Sequence, residues 1–193
     1  MTHNLADLPF MTPERYFSIE RHSPDRHEYI NGVMYAMAGG TILHSAIIAN
    51  VTTSIRIRLR GTECTAHSSE LRVLNRVTGS VLYPDLSVIC GEPVLSALDK
   101  DTVVNPLVIV EVLSPSTEAY DRGAKFAHYK RLDTLQVYVL VAQDQANIQT
   151  FTRDGDDWIL AEFDGMDATL EIEALQLTAP LREIYEGVRF DTP

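Results

Sequence analysis

Between Thr41 and Gly61 the apolar residues Ile47, Val51, Ile55 and Leu59 recur at every fourth position, which places them on one face of a long helix ending at Gly61. A helix with a single apolar face packs on a sheet. Upstream, Thr12-Pro13-Glu14 supplies an N-cap, a proline at the first helical position and an acidic first turn, so a short helix is predicted from about Pro13 to Glu20. Glu28-Tyr29-Ile30 and Val33-Met34-Tyr35 then flank Asn31-Gly32, a strong hairpin signal because both central residues of a type I′ turn need positive φ. Strand-like runs near Thr65–Leu74 and Leu82–Cys90, separated by the turn-rich Asn75-Arg76-Val77-Thr78-Gly79, read as a second hairpin.

The run Leu107–Leu113 is apolar on both faces, as expected of a central buried strand, and one carboxylate, Glu111, interrupts it. Ser114-Pro115-Ser116-Thr117 ends that strand and starts a helix from Glu118 to about Leu132, followed by an apolar strand over Gln136–Ala142. This β-α-β order implies a right-handed crossover. The C-terminal third alternates short strands (Ile148–Thr152, Trp158–Phe163, Thr169–Ile172) with Asp-Gly turns and closes with a helix near Pro180. The elements are those of an α/β (α+β) chain, and 193 residues fit one domain without repeats or linkers.

Composition narrows the setting. No apolar run approaches the ~18 residues of a spanning helix, and the N-terminus lacks a basic stretch followed by a long apolar core, so a cytoplasmic protein without a membrane segment is expected. Cys64 and Cys90 lie far apart with no CxxC spacing; buried, reduced thiols are expected, with neither a zinc site nor a disulfide framework. The 16 Lys+Arg and 27 Asp+Glu give a formal charge of -11, a field that repels a phosphate backbone and argues against a protein that coats DNA. A carboxylate site that recruits metal is itself acidic, so a nuclease is not excluded.

Burying an ionised carboxylate costs several kcal/mol unless it is paired or binds a metal, which makes Glu111 the most informative residue. Asp85 poses the same question in Tyr83-Pro84-Asp85-Leu86-Ser87-Val88-Ile89. Two inward-pointing acids on adjacent strands would form a hard-oxygen site suited to Mg²⁺ or Mn²⁺. In the following helix Asp121, Lys125 and Tyr129 are spaced four apart and share a face, so Lys125 can reach back toward the site. An ammonium beside two metal-bound carboxylates suits phosphodiester hydrolysis, where negative charge develops on the phosphate.

As an ordered set these residues resemble the large bacterial Uma family of restriction-endonuclease-like proteins. The resemblance spans most of the chain and rests on Arg26-His27-Glu28-Tyr29-Ile30-Asn31-Gly32, His44, Pro84-Asp85-Leu86-Ser87-Val88, Val110-Glu111-Val112-Leu113-Ser114-Pro115-Ser116-Thr117, and Asp121, Lys125 and Tyr129. It implies a PD-(D/E)XK, restriction-endonuclease-like core: a mixed central sheet flanked by helices, with extra antiparallel strands at the C-terminus. It also implies Asp85 and Glu111 as the metal-binding acids. Leu113 stands where the superfamily motif has its lysine, and Lys125 on the helix is the replacement that the resemblance implies. Glu28 would be a further acidic ligand or water-positioning group. Gln136–Ala142 departs from the relatives' Glu-Tyr-Trp pattern, which leaves that strand a packing role.

The expected activity is a Mg²⁺- or Mn²⁺-dependent endonuclease acting on DNA through Glu28, Asp85, Glu111 and Lys125. His44, Asp121 and Tyr129 are supporting candidates. Each has an ordinary alternative: local hydrogen bonding for His44, a first-turn helix acid for Asp121, and simple core packing for Tyr129. Many nucleases of this fold dimerise to cut two strands, so a homodimer is also an expectation. Two rivals stand beside this reading: a catalytically silent nuclease-fold scaffold, with its acids turned apart or capped by arginine, and a metal-dependent hydrolase of a small phosphoester, with a pocket too narrow for a duplex.

Overall fold

Thr12 accepts a hydrogen bond from the Arg15 amide and starts helix α1, Pro13–Glu20, which buries Tyr16 and Phe17. The structure, a computed structural model, describes residues 10–37 and 39–190. Strands β1 (His27–Ile30) and β2 (Val33–Ala36) form the expected hairpin, with Asn31 at φ 50° and Gly32 at φ 83°. Only glycine and, less readily, asparagine take up such angles without strain, which is why these two residues set the register.

Helix α2, Ile42–Arg58, is capped by the Thr41 hydroxyl and buries Ile47, Val51 and Ile55 on the face read from their spacing. The two runs that followed in sequence are each divided. The first gives β3 (Cys64–Ser68) and β4 (Arg72–Leu74); the second gives β5 (Val81–Leu82) and β6 (Leu86–Cys90). Antiparallel pairing is retained in both halves, but β4 and β5 pair in one sheet while β3 and β6 pair in another. The chain changes sheets at Tyr83-Pro84-Asp85. A proline has no amide hydrogen to give a ladder, and its position at this break ends one sheet before the other begins.

The remaining strands are β7 (Thr102–Val103), β8 (Val108–Val112), β9 (Val137–Val141), β10 (Asn147–Asp154), β11 (Asp157–Asp164), β12 (Thr169–Ile172) and β13 (Leu177–Pro180). Two sheets carry most of the fold, in the orders β2-β1-β5-β4-β7 and β11-β10-β9-β8-β6-β3; β12 and β13 pair separately. The six-stranded sheet is mixed, with β8 and β9 parallel and the others antiparallel. Two strands, β7 and β13, were not read from the sequence. β7 is only two residues long, and β13 is four residues with proline at its last position, too short for alternation to single it out.

Every residue of β8 and β9 is buried. On one face Val108, Val110 and Val112 pack with Leu86, Val88 and the apolar stripe of α2. On the other, Ile109 and Leu113 pack with Tyr138, Leu140, Phe126, Tyr129 and Leu132. Each fully buried aliphatic side chain is worth about 1.5–3 kcal/mol relative to exposure, so this double burial holds the strands in place. Between β8 and β9 the crossover helix is α-helical at Glu118–Tyr120 (α3), π-helical over Asp121–Lys125 and α-helical again at Phe126–Tyr129 (α4). A short helix, α5 (Leu181–Ile184), follows β13.

The cysteines differ from expectation. Cys64 and Cys90 are direct partners across the β3–β6 ladder and are joined as a disulfide, not left as reduced thiols. Their separation of 26 residues carries no hint of the register that brings them together.

Candidate active site

Alternation along β8 turns Glu111 to the same face as Ile109 and Leu113, beneath the crossover helix. Asp85 stands immediately before β6, the antiparallel neighbour of β8. The Asp85 amide donates to Glu111 Oε2 at 3.3 Å, and the Val112 amide donates to Asp85 Oδ2 at 2.7 Å. The two acids are thus laced to each other's strands. Glu111 is 2% exposed, whereas the Asp85 side chain retains 18%.

Lys125 enters from the π-helical turn and is itself buried. Its Nζ lies 2.8 Å from Glu111 Oε1, 3.4 Å from Glu28 Oε1 and 3.6 Å from Asp121 Oδ1, and donates to the Tyr83 carbonyl at 3.2 Å. The 2.8 Å contact pairs the ammonium directly with the buried Glu111 carboxylate. A π-helical turn is rare and is frequent at functional sites. Here it carries both Asp121 and Lys125 at its ends.

The remaining sequence candidates fall in different places. Glu28, from β1, accepts from the Tyr120 hydroxyl at 2.7 Å and from the Tyr83 amide at 3.4 Å. His44 Nε2 lies 2.9 Å from the Val112 carbonyl and 3.4 Å from Asp85 Oδ2, which puts it at the mouth of the cluster. Asp121 is buried and faces Lys125, so it belongs to the charged cluster and not to a solvated first turn. Tyr129 packs in the apolar core under the helix, and its hydroxyl finds no partner among the described residues.

Burial pushes the Glu111 carboxyl well above the usual range; Lys125 opposes that shift and Asp85 and Asp121 add to it. Asp121 is raised by burial too, with Lys125 opposing. For Lys125 burial acts downward, but Glu111, Glu28, Asp121 and Asp85 together outweigh it and hold the ammonium well above its ordinary value. His44 is raised chiefly by its hydrogen bond to Asp85, against its burial. Two causes therefore act: burial raises the two acids Glu111 and Asp121, and neighbouring carboxylates raise the two cations Lys125 and His44.

The sequence matches the profile of Uma2, described as "Putative restriction endonuclease", over residues 13–182. The chain belongs to the Uma2 family. It is similar to an uncharacterized protein of Synechocystis sp., 35% identical over 186 residues and covering 96% of each chain. A second uncharacterized Synechocystis protein is 27% identical over 174 residues, covering 90% of this chain and 98% of the other. The fold matches the crystal structure of a putative nuclease belonging to DUF820 from Anabaena variabilis, with TM-score 0.76 and 17% identity, over 93% of this chain and 99% of that one. The Uma2 chain therefore has a restriction-endonuclease-like nuclease fold.

The donor set of this Uma2 site fits a hard divalent cation. The acids Glu28, Asp85, Glu111 and Asp121 outnumber the single Lys125 ammonium, which leaves the cluster rich in hard carboxylate oxygens. Among the described residues no group of three or more His, Cys, Asp or Glu side chains is placed to hold a metal ion, so Asp85 and Glu111 would have to hold one as a pair.

Two groups escaped the sequence reading. Tyr120 neighbours Asp121 in the chain and ties down Glu28 through its hydroxyl. Tyr83 contributes both of its backbone groups. Adjacency to Pro84-Asp85 was the only available sign of Tyr83, because backbone contacts leave no mark on residue type.

Proposed function

We propose that this Uma2 protein is a Mg²⁺- or Mn²⁺-dependent nuclease that hydrolyses DNA phosphodiester bonds at the cluster of Glu28, Asp85, Glu111 and Lys125. The observation that carries this reading is the convergence of Asp85 and Glu111, each bonded to the other's strand, with the Lys125 ammonium 2.8 Å from Glu111. Asp85 and Glu111 would hold the ion. A divalent cation bound there supplies Lewis acidity toward a phosphoryl oxygen.

The chain's own residues do the rest. Lys125 offsets negative charge as it develops on the phosphate, in a dry setting where an ammonium acts strongly. Glu28, fixed by Tyr120, is placed to orient the attacking water or take its proton. Asp121 keeps the ammonium charged, and His44 braces Asp85. The scaffold alternative calls for acids turned apart or capped by arginine. No arginine pairs with Asp85 or Glu111 among the described residues, which favours the catalytic reading.

One observation keeps a second reading open, a hydrolase of a small phosphoester. Only Asp85 and His44 reach the surface of the cluster with any appreciable area, at 18% and 16% side-chain exposure. Both readings are tested together by incubating the protein with plasmid, single-stranded oligonucleotide and bis(p-nitrophenyl) phosphate over a Mg²⁺ and Mn²⁺ titration, with Glu111→Gln as the control. The nuclease reading expects metal-dependent nicking that disappears in Glu111→Gln. Turnover of the small ester alone would favour the second reading, and cleavage that survives Glu111→Gln would remove the assigned site.

A further inference from the structure

We propose that Tyr83 is a positioning residue: its clamped hydroxyl fixes the backbone on which Lys125 and Glu28 rest. The inference rests on the site described above and adds a residue that lies outside the carboxylate–lysine set. Tyr83 is 2% exposed and belongs to the three-residue connector between β5 and β6, where no sheet ladder holds the chain. Its backbone groups are instead taken up by the site. Its amide donates to Glu28 Oε1 at 3.4 Å, and its carbonyl accepts from Lys125 Nζ at 3.2 Å.

What holds this connector is a second polar network on the far side of the ring. The Tyr83 hydroxyl donates to Glu20 Oε1 at 2.7 Å and accepts from Arg72 at 3.1 Å. Glu20 is anchored in turn by the His27 amide at 2.9 Å and the His27 ring at 3.0 Å; Arg72 is anchored by Asp99 at 2.8 Å. Both arms lead to rigid elements, α1 and the five-stranded sheet. The hydroxyl is therefore the junction between a fully satisfied structural network and a charged cluster that must hold one ammonium among several acids. Outer partners of this kind set the orientation of the groups that do the chemistry.

The test needs neither metal nor DNA. The chain has three lysines, Lys100, Lys125 and Lys130, and only Lys125 is buried. In ¹H–¹⁵N spectra of the lysine ammonium groups of the intact protein, the one slowly exchanging signal is therefore Lys125, identified by its loss in Lys125→Met. Tyr83→Phe keeps the ring and removes the junction; it is expected to shift this signal and to speed its hydrogen exchange about fivefold or more. Arg21→Ala removes bonds to Asp99 and to the Leu98 carbonyl elsewhere in the same network, and should leave the signal unchanged. Should Tyr83→Phe not fold, Glu20→Gln weakens the same junction with the volume kept.

Unaltered exchange in Tyr83→Phe, or equal acceleration in Arg21→Ala, overturns the proposal and leaves Tyr83 a structural residue. A companion titration with Mn²⁺ should show affinity reduced about tenfold in Tyr83→Phe and unchanged in Arg21→Ala. If the wild-type protein binds no Mn²⁺, the metal-dependent reading fails by itself, while the ammonium measurement still decides the role of Tyr83.

Discussion

Asp85 and Glu111 are each hydrogen-bonded to the other's strand: the Asp85 amide reaches Glu111 Oε2 at 3.3 Å, and Asp85 Oδ2 takes the Val112 amide at 2.7 Å. The charge of Asp85 and its hydrogen-bonding shape can therefore be separated by substitution. Asp85→Asn keeps an oxygen for the Val112 amide and loses only the charge, so its stability should stay within about 1 kcal/mol of wild type. Its metal-dependent cleavage should fall about 10²-fold or more. Asp85→Ala would lose both. Chemical denaturation beside a cleavage assay checks the separation, and equal stability loss in Asn and Ala would show that the hydrogen bond to Val112 contributes nothing.

Among the described residues Lys125 is the sole ammonium facing Glu111, Glu28 and Asp121. Removing one partner of a buried charge cluster leaves the others uncompensated, so Lys125→Met should destabilise the metal-free protein by about 3–5 kcal/mol. Mg²⁺ should then raise its melting temperature more than it raises that of the wild type, because the ion replaces the missing charge. Thermal denaturation in EDTA and over a Mg²⁺ series measures both effects. A Mg²⁺ response equal to or below that of the wild type would remove the cation site from the cluster.

What was legible in advance follows from side-chain chemistry. Glu111 stood out because an acid inside Val108–Val112 breaks an otherwise apolar run, and Asn31-Gly32 announced its turn through the φ angles those residues tolerate. The stripe Ile47, Val51 and Ile55 likewise gave the buried face of α2. Contacts that depend on backbone path were hidden. Sheet changes between Ser68 and Arg72 and at Tyr83-Pro84-Asp85 split two apparent strands into four, and nothing in the alternation of Thr65–Leu74 or Leu82–Cys90 marks the breaks. The π-helical widening at Asp121–Lys125, the cross-strand match of Cys64 with Cys90 and the two backbone bonds of Tyr83 are products of register. Periodicity is blind to register between segments distant in sequence.

Gly40 lies against the imidazole of His44. A Cβ added there would sit 2.9 Å from His44 Nδ1, closer than real contacts allow, and the ring would turn away because it is the movable partner. Gly40→Ala is expected to leave stability within about 1 kcal/mol, since one partly exposed hydrogen bond is at stake. It should reproduce the functional loss of His44→Ala, whose ring reaches Asp85 and the Val112 carbonyl. In a double-mutant cycle the two losses should not add. Additive losses would mean that Gly40 acts on something other than His44.

Asp99 offers a test of stability against pH at a distance from the proposed metal ligands. Burial alone would raise its carboxyl, but hydrogen bonds from Thr102 and Arg21 and the charge of Arg72 lower it from 3.8 to about 2. A carboxylate depressed in the folded state adds stability that is complete above its unfolded value. That stability is lost as pH falls through the folded value, so the window runs from about pH 5 down to about pH 2. The shift corresponds to a contribution on the order of 2 kcal/mol, with some reduction because Arg21 is half exposed. Asp99→Asn should therefore be less stable than wild type at neutral pH. Urea denaturation at a series of pH values should show the two curves converging as the solution is acidified through that window. Curves that run parallel from pH 6 to pH 2 would mean that Asp99 holds its partners by shape alone, without its charge.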